Sequence, residues 1–462
     1  MWWPSAAAPA RMRRVALVAP VARIRPVLVQ TADAGIVEID VPEPPTASRD
    51  ALRAGGDTPT APRLSLTTPD RDALERAGRR DLLAGESELD VVGAAAVVRG
   101  GVAAFAGWAR ESDVLGLARQ LEPEGGAVVL LLTPLGTDPP TALATGGTLR
   151  RSFAPLVDTY GTVPYADLDP TLAAGLAYVF MFGMMFGDVG HGALLVIGGL
   201  LLRAGRLPWT ARYGRVWPFV AGAGAAAAVF GLLYGECFGP TGVVPVLWIA
   251  PLEQPVTLLG VALGVGAVLL AGAYVLGTVN RWREGGWAAA LSAPSGLAGA
   301  AVFAGLGMVV LGLVAGSGWL LAGGVVVALG LLLASVGFLA TAEGGAAGVV
   351  QTVVELFDAV IRLGANLVSF ARLAAFGLTH AAVGMVVWDG TTNLWRLGGV
   401  GMVAAVAVFS VGNALAFALE ALVAGVQALR LEYYELFSRI FVTEGRPFRP
   451  WHVPLEPSRR IP

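Results

Sequence analysis

Charged and polar side chains interrupt two long apolar segments toward the C-terminus of the chain. Those of segment 357–388 are Asp358, Arg362, Arg372 and His380, and those in or just after segment 399–429 are Glu420, Gln427, Arg430 and Tyr434. A charge inside a bilayer costs several kcal/mol, and such residues commonly mark ion pathways. Two long helices of this kind predict a hydrated ion path or a network of paired charges between them.

The polar residues of segment 357–388 share one face if the segment is helical. At about 100° per residue, a sector of about 80° contains Asp358, Arg362, Ser369, Arg372 and His380. Asp358 and Arg372 are then roughly 21 Å apart along the axis, and Arg372 and His380 about 12 Å. This spacing predicts a polar stripe that runs from the cytoplasmic end of the helix past the middle of the membrane.

The following segment carries a second polar face. Glu420, Gln427 and Tyr434 recur at about seven residues and share that face, with Arg430 near its edge. A different interpretation of the same charges is a structural ion pair between Glu420 and Arg372 or Arg430. The helical geometry favours the ion path and leaves the structural pair open.

The composition places these charges in a membrane protein that crosses the bilayer several times. Of the 462 residues, 55% are hydrophobic and 14% are charged, whereas soluble domains have about 25% charged residues. The mean hydropathy is +0.66. The net charge of −2 gives no reason to expect a nucleic-acid partner. Cys237 is the one cysteine of the sequence, which rules out a disulfide within the chain.

The chain divides into a polar N-terminal part and an apolar remainder. Residues 1–165 predict a small cytoplasmic α/β domain, with strands at 14–18, 35–39, 94–98 and 128–132, a helix at 114–121 and a linker-like stretch at 42–90. Residues 166–440 predict the membrane domain, and residues 441–462 a cytoplasmic tail. The predicted fold class is an α-helical polytopic membrane protein with a small N-terminal α/β domain.

Eight apolar runs approach the length of about 20 residues that a helix needs to cross a bilayer. They are residues 171–186, 190–203, 213–235, 256–280, 293–315, 318–340, 357–388 and 399–429. The first two are short, and Gly187 and Gly190 between them favour a tight hairpin over one long helix.

Arginine placement predicts the orientation of these runs, because cytoplasmic loops carry an excess of positive charge. The arginines in the loops and tail assigned to the cytoplasm are Arg203, Arg206, Arg212, Arg215, Arg281, Arg283, Arg439, Arg446, Arg449, Arg459 and Arg460. With a hairpin at Gly187–Gly190, this distribution places both termini in the cytoplasm.

Four motifs resemble, in order, those of the large membrane stator subunit of V-type and A-type rotary ATPases, which is subunit a in vacuolar enzymes and subunit I in prokaryotic ones. They are Phe180–Gly192 (FMFGMMFGDVGHG), Tyr234–Gly239 (YGECFG), Ser369–Ala381 (SFARLAAFGLTHA) and Leu429–Glu435 (LRLEYYE) with Gly445–Phe448 (GRPF). Weaker similarities occur at residues 12–40, 107–108 and 158–171. The resemblance covers essentially the whole apolar part and both edges of the N-terminal domain.

The resemblance implies roles for individual residues. Arg372 stands where the family has the stator arginine that faces the carboxylate of the rotating proteolipid ring. Since Arg stays protonated at accessible pH, it favours the ionised carboxylate and forms a barrier to direct leakage between two half-channels. The family's polar half-channel positions are matched by Glu420 and His380 on the outer side, by Asp358 and Gln427 on the cytoplasmic side, and by Arg430 as the second arginine.

The function that the resemblance implies is that of a stator subunit coupling proton or Na⁺ flow to ATP hydrolysis or synthesis. Its partners would be the proteolipid c-ring, the peripheral and central stalk subunits and the lipid bilayer, in a prokaryotic plasma membrane. The sequence contains no phosphate-binding loop, so no ATP site and no cofactor are expected on this chain. Its three His and one Cys predict no metal cluster. The N-terminal part lacks the coiled-coil arms of the family, which predicts a reduced domain and alters the expected attachment to the stalks.

Two other classes of function stay open. One is an ion-coupled secondary transporter that uses Asp358, Arg372 and Glu420, although the spans show no inverted repeat. The other is a structural membrane scaffold or a degenerate family member with ion-paired helices, which is less favoured because Arg372, Glu420 and Arg430 match the family pattern.

Several other polar residues are interpreted as structural. Asp188 and His191 lie in the glycine-flanked hairpin and are assigned to turn formation or packing. Glu236 ends a span and is assigned to the membrane interface, and Glu343 and Glu355 to the cytoplasmic membrane surface.

Overall fold

The computed structural model describes residues 9–41, 61–133, 137–142, 147–205, 211–316, 318–342, 344–441 and 444–456. Residues 42–60 of the linker-like stretch lie outside the described residues, as do Arg206, Glu343, Arg459 and Arg460. The chain forms two compact units. One holds the described residues of Pro9–Ala144 and Gly445–Pro462, and the other holds those of Thr145–Glu444.

The first unit contains a five-stranded antiparallel sheet with helices packed against it. Its strands are β1 (Met12–Pro20), β2 (Val37–Ile39), β3 (Val97–Arg99), β4 (Val102–Arg110) and β5 (Ala127–Leu130), and its helices are α1 (Ile24–Ala34), α2 (Arg71–Arg76), α3 (Arg80–Ala94) and α4 (Glu111–Leu121). The strand order is β2-β4-β1-β5, with β3 paired to β4. Helices α2 and α3 therefore occupy much of the second half of the linker-like stretch.

Strand β4 is the central element that the sequence did not predict. Its sequence VAAFAGWAR is rich in Ala and Gly, which have low β-propensity. It nevertheless pairs with the whole of β1, from Met12 opposite Arg110 to Pro20 opposite Val102. Pairing and burial of Phe105 and Trp108 outweigh the weak local preference.

Residues near the C-terminus complete the core of this sheet unit. The core cluster includes Leu17, Leu28 and Phe105, and Val453 is fully buried in it. The backbone N–H of Val453 donates to Ala32 O at 3.1 Å, and that of Trp451 donates to Val37 O at 2.8 Å. The described residues 445–456 are therefore part of the α/β unit.

The second unit consists of helices. They are α5 (Thr148–Tyr160), α6 (Thr171–Met185), α7 (Val189–Ala204), α8 (Trp217–Tyr234), α9 (Pro255–Ser292), α10 (Leu297–Ala315), α11 (Trp319–Thr341), α12 (Ala346–Ser369), α13 (Ala371–Arg396) and α14 (Val400–Leu431), followed by a π-helical turn at Glu432–Phe437 and a last short helix, α15 (Ser438–Ile440).

Within the described residues, six helices are long and apolar enough to cross a membrane. They are Tyr213–Tyr234, Pro255–Ser292, Leu297–Ala315, Trp319–Ala340, Ala346–Arg396 and Val400–Ile440. The first two predicted spans form the shorter apolar helices α6 and α7, so the count of eight crossings stays a prediction. The segment predicted as one span at 357–388 lies within the single apolar stretch Ala346–Arg396. Regular α-helical hydrogen bonding is interrupted in it at the fully buried Phe370, whose backbone stays right-handed helical, and α12 and α13 are the parts before and after that residue.

Helices α6 and α7 run in opposite directions along α8. A methyl group at Gly183 of α6 would lie 2.6 Å from Ala226 Cβ, and one at Gly187 would lie 2.6 Å from Tyr234 Cδ2, so α6 and α8 are parallel. A methyl group at Gly199 of α7 would lie 2.8 Å from Ala221 N. The reversal predicted between residues 187 and 190 is thus present, and glycines let these backbones approach closely, as membrane helices require.

Candidate ion-path site

Arg372, the second residue of α13, contacts a carboxylate that comes from the π-helical turn. Its Nη2 donates to Glu435 Oε1 at 3.4 Å, while its Nη1 has no hydrogen-bond partner among the described residues. The Arg372 side chain is 25% exposed and that of Glu435 is 5% exposed. A guanidinium with unused donors and partial exposure can accept a further anionic partner.

The π-helical turn brings two carboxylates into the unit. Glu432 and Glu435 are both buried, whereas Tyr434 is 69% exposed. A π turn holds more residues than an α-helical turn, and such turns are frequent at functional sites. The seven-residue face predicted for Glu420, Gln427 and Tyr434 assumes α geometry throughout, but that geometry ends at Leu431.

Glu420 is paired with His380, which joins α14 to α13. His380 Nδ1 and Glu420 Oε2 are hydrogen-bonded, and their side chains are 6% and 18% exposed. The alternative interpretation from the sequence paired Glu420 with Arg372 or Arg430 instead. The imidazole–carboxylate pair contains two groups that each accept and release protons, so it can pass a proton from one helix to the next.

A cavity of about 450 Å³ opens beside this pair, between α13 and α14. Its lining includes Phe376, Thr379, His380, Leu419 and Glu420. A water molecule in the liquid has a share of about 30 Å³, so the cavity has room for several waters. Apart from Thr379, His380 and Glu420 the lining residues are apolar, so water there would have hydrogen-bond partners only at these three side chains.

The other predicted half-channel residues lie apart from the described contacts of Arg372. Asp358 Oδ2 and Arg362 Nε form an ion pair at 2.6 Å on α12, and these side chains are 48% and 69% exposed. Gln427 is half-buried, with its Oε1 lacking a partner in the described part of the chain. Arg430 is exposed. The structure therefore pairs His380 with Glu420 but gives Arg372 a different partner.

Asp188 has the structural role that was expected for it. Its Oδ1 accepts from the N–H of His191 at 2.8 Å and caps the start of α7. Its Oδ2 accepts from the N–H of Gly239 at 2.9 Å, which ties the hairpin to the loop after α8. A fully buried carboxylate with two backbone donors is well satisfied.

The side chains of His191 and Glu236 are both buried in the helical unit. The His191 ring is buried against Phe186 and lies 5.7 Å from the His380 ring. Its Nδ1 lies 3.7 Å from Asp188 Oδ1, and neither ring nitrogen makes a hydrogen bond within the described ranges. Glu236, which was expected at the membrane interface, is 4% exposed. Its carbonyl accepts from the N–H of Val189, so the loop that follows α8 folds inward.

Asp188, His191 and His380 also form a group of potential metal ligands that the sequence did not predict. Their ligand atoms all lie within 4.8 Å of one another, and all three residues are buried. However, both Asp188 oxygens already accept backbone hydrogen bonds, and His380 Nδ1 is bonded to Glu420. Helix capping thus explains the position of Asp188, and the pairing with Glu420 explains that of His380, without a metal ion.

Glu435 and Asp167 are buried acidic residues that the sequence analysis did not select. Glu435 is 63 positions from Arg372, so local spacing could not pair them. Asp167 lies in the loop before α6, where neither of its oxygens has a donor among the residues described here. The available signal was the presence of both residues in or beside the motifs that carry the family resemblance.

Asp167 makes the stability of the helical unit dependent on pH. Burial and the nearby Glu284 carboxyl raise its pKa from 3.8 to about 8. The folded chain therefore holds a proton that the unfolded chain releases, and stability falls as pH rises from about 4 to about 8. We expect Asp167→Asn to remove this loss of stability. The melting temperature of the variant minus that of the wild type is then a few degrees higher at pH 8 than at pH 5. Thermal unfolding of the purified chain in detergent measures this, and parallel pH profiles would contradict it.

Comparisons with known proteins find relatives in the family that the motifs resemble. A sequence model described as "V-type ATPase 116kDa subunit family" matches residues 99–238. An A-type ATP synthase subunit I of Pyrococcus horikoshii is 29% identical over 315 residues, covering 66% of this chain and 46% of the relative. The subunit I of Aeropyrum pernix is 25% identical over 359 residues, with 66% and 50% covered.

A shorter match is to a subunit a of a V-type proton ATPase. The mouse (Mus musculus) V-type proton ATPase 116 kDa subunit a 2 is 36% identical over 101 residues, which cover 21% of this chain and 12% of the relative. The chain spans about half the length of the archaeal relatives it matches.

Proposed function

Because the chain belongs to the V-type ATPase 116 kDa subunit family, we propose that it is the membrane stator subunit of a rotary ATPase. In this role it conducts protons or Na⁺ along half-channels against a proteolipid ring and thereby couples ion flow to ATP hydrolysis or synthesis on other subunits. The observation that carries the proposal is the partly exposed Arg372, whose Nη1 has no hydrogen-bond partner among the described residues. It lies two turns before His380 on α13, and His380 is paired with Glu420 of α14.

Arg372 acts as the fixed positive charge that each rotor carboxylate meets. Its charge favours the ionised form of the carboxylate, and so releases the ion that the carboxylate carried. The same charge repels a cation that would otherwise pass directly between the two half-channels. About 12 Å separates Arg372 from His380 on an ideal helix. This distance is too long for a single proton transfer, so rotation carries the rotor carboxylate from one residue to the other.

His380 and Glu420 form the outer half-channel in this proposal. Glu420 binds a proton that the rotor carboxylate releases, and His380 holds the Glu420 carboxylate in position through their hydrogen bond. The adjacent cavity of about 450 Å³ reaches both side chains, and the rest of its lining is almost wholly apolar. Asp358, Gln427 and Arg430 line the cytoplasmic half-channel, where Gln427 acts through water because an amide cannot ionise.

The proposal also includes the membrane topology of the chain and its partner subunits. Its helical unit crosses a prokaryotic plasma membrane eight times with both termini in the cytoplasm, and its partners are the proteolipid ring and the stalk subunits. The long apolar helices support membrane integration, and the arginine-rich loops support the orientation.

Purification of the tagged full chain from its native membranes in mild detergent tests this proposal. Mass spectrometry is expected to find a proteolipid with a carboxyl group in its membrane segment, together with ATP-hydrolysing subunits. If the chain instead purifies alone and transports ions in vesicles without ATP, the secondary-transporter alternative replaces the proposal.

A further inference from the structure

The residue proposed to meet the rotor carboxylate already contacts a carboxylate of its own chain. Arg372 Nη2 and Glu435 Oε1 are 3.4 Å apart, and the Glu435 side chain is 5% exposed. The half-channel roles proposed above make no use of Glu435. A buried acidic residue beside the stator arginine competes with any incoming anion, so its presence needs a reason.

The local structure aims Glu435 at Arg372. The π-helical turn at Glu432–Phe437 turns Glu435 inward, toward the junction of α12 and α13. Ser369, the last residue of α12, donates its hydroxyl to Ala365 O at 3.0 Å. The charged groups near the Glu435 carboxylate are Arg372 from α13 and Arg430 from α14. Its Oε2 has no hydrogen-bond partner in the described residues.

The contact between Arg372 and Glu435 is suited to exchange. At 3.4 Å it is longer than the 2.7–2.9 Å of a strong charge-assisted hydrogen bond, and it uses one of five guanidinium donors. Arg372 needs a partner at all times, because a largely buried charge without one is strongly destabilising. A rotor supplies such a partner only when one of its carboxylates is in register.

We propose that Glu435 is the resting counter-ion of Arg372, a positioning residue that neutralises the guanidinium whenever no ionised rotor carboxylate faces it. The inference rests on the proposed function. As a rotor carboxylate ionises opposite Arg372, the guanidinium moves its hydrogen bonds to that carboxylate, and it returns to Glu435 when the rotor site departs. The exchange involves hydrogen bonds alone, so no proton is transferred to or from Glu435.

Without Glu435 the rotor carboxylate becomes the sole counter-ion and leaves Arg372 more slowly. Glu435→Gln, which keeps the shape but not the charge, is expected to lower the maximal rate of ATP-driven ion transport by about tenfold at normal assembly. Glu435→Asp retains the charge and is expected to restore part of the rate. The matched control is Glu432→Gln, a second buried carboxyl in the same π turn, which is expected to transport at the wild-type rate.

The test is transport by vesicles that contain the assembled complex with each variant, alongside Arg372→Ala. Equal losses in Glu435→Gln and Glu432→Gln would overturn the inference, since they would trace the effect to packing of the turn. A wild-type rate in Glu435→Gln would also overturn it. If Arg372→Ala keeps full transport, the proposed function fails as well, so the two failures are distinguishable.

A second measurement examines the pair without rotation. In the purified full chain, modification of Arg372 by an arginine-specific dicarbonyl reagent is followed by peptide mass spectrometry. Glu435→Gln is expected to raise the modified fraction, because the guanidinium loses its partner, and Glu432→Gln is expected to leave it unchanged. An unchanged fraction in Glu435→Gln would contradict the pairing itself.

Discussion

Replacement of Arg372 by alanine is expected to reduce ATP-driven ion transport to about 1% of the wild-type rate or less. Loss of one fixed group that stabilises a transition state has an effect of this size in enzymes. The variant removes the group that favours ionisation of each rotor carboxylate. It also removes the barrier between the half-channels, so passive proton leak through the assembled complex is expected to rise. A packing residue would produce neither the loss of transport nor the leak.

The lysine variant sharpens this prediction. Lys presents one compact ammonium group that loses its proton when buried, whereas Arg stays charged and offers five donors in a planar fork. Arg372→Lys is therefore expected to resemble Arg372→Ala in transport. Vesicle acidification at matched assembly measures both variants, and Arg396→Ala at the far end of the same helix is the control. Full transport by Arg372→Lys would show that any positive charge suffices.

Glu420→Gln is expected to lower ion transport by about a hundredfold, since a positioned acid or base commonly contributes that much. Gln keeps the size of the side chain and its hydrogen bond to His380, but it cannot bind and release a proton. Because Arg372 is unchanged in this variant, passive leak is expected to stay at the wild-type level. This combination separates the Glu420 variant from the Arg372 variants.

The control for Glu420→Gln is Asp389→Asn, which alters an exposed carboxylate on α13. It is expected to leave the rate unchanged. If Glu420→Gln transports normally, the His380–Glu420 pair is a structural link between α13 and α14, and the outer half-channel lies elsewhere.

Local sequence predicted the elements whose residues carry a strong pattern. Strand β1 follows from its β-branched and apolar residues, and the reversal between α6 and α7 follows from the glycines around Asp188. Strand β4 could not be predicted, because its Ala and Gly residues gain their strand geometry from pairing with β1.

The candidate site depended more heavily on tertiary structure. Sequence identified Arg372, His380 and Glu420, because charges stand out in apolar runs. It did not identify the local irregularity at Phe370, nor the π turn that brings Glu435 to Arg372. Helical periodicity assumes regular α geometry, so it does not reveal either feature.

The central claim is that the Arg372 face of α13 lies against the rotor, and cysteine cross-linking tests it most directly. Cys237 is the one native cysteine, so a Cys237→Ser chain provides the background. Ala375→Cys places a thiol on the exposed side of α13, one turn after Arg372, and Val325→Cys places one on the exposed side of α11. Each is combined with a cysteine beside the rotor carboxylate. We predict an oxidative cross-link to the rotor from position 375, together with arrested ATP hydrolysis, and none from position 325. Equal cross-linking from both positions, or from neither, would contradict the account.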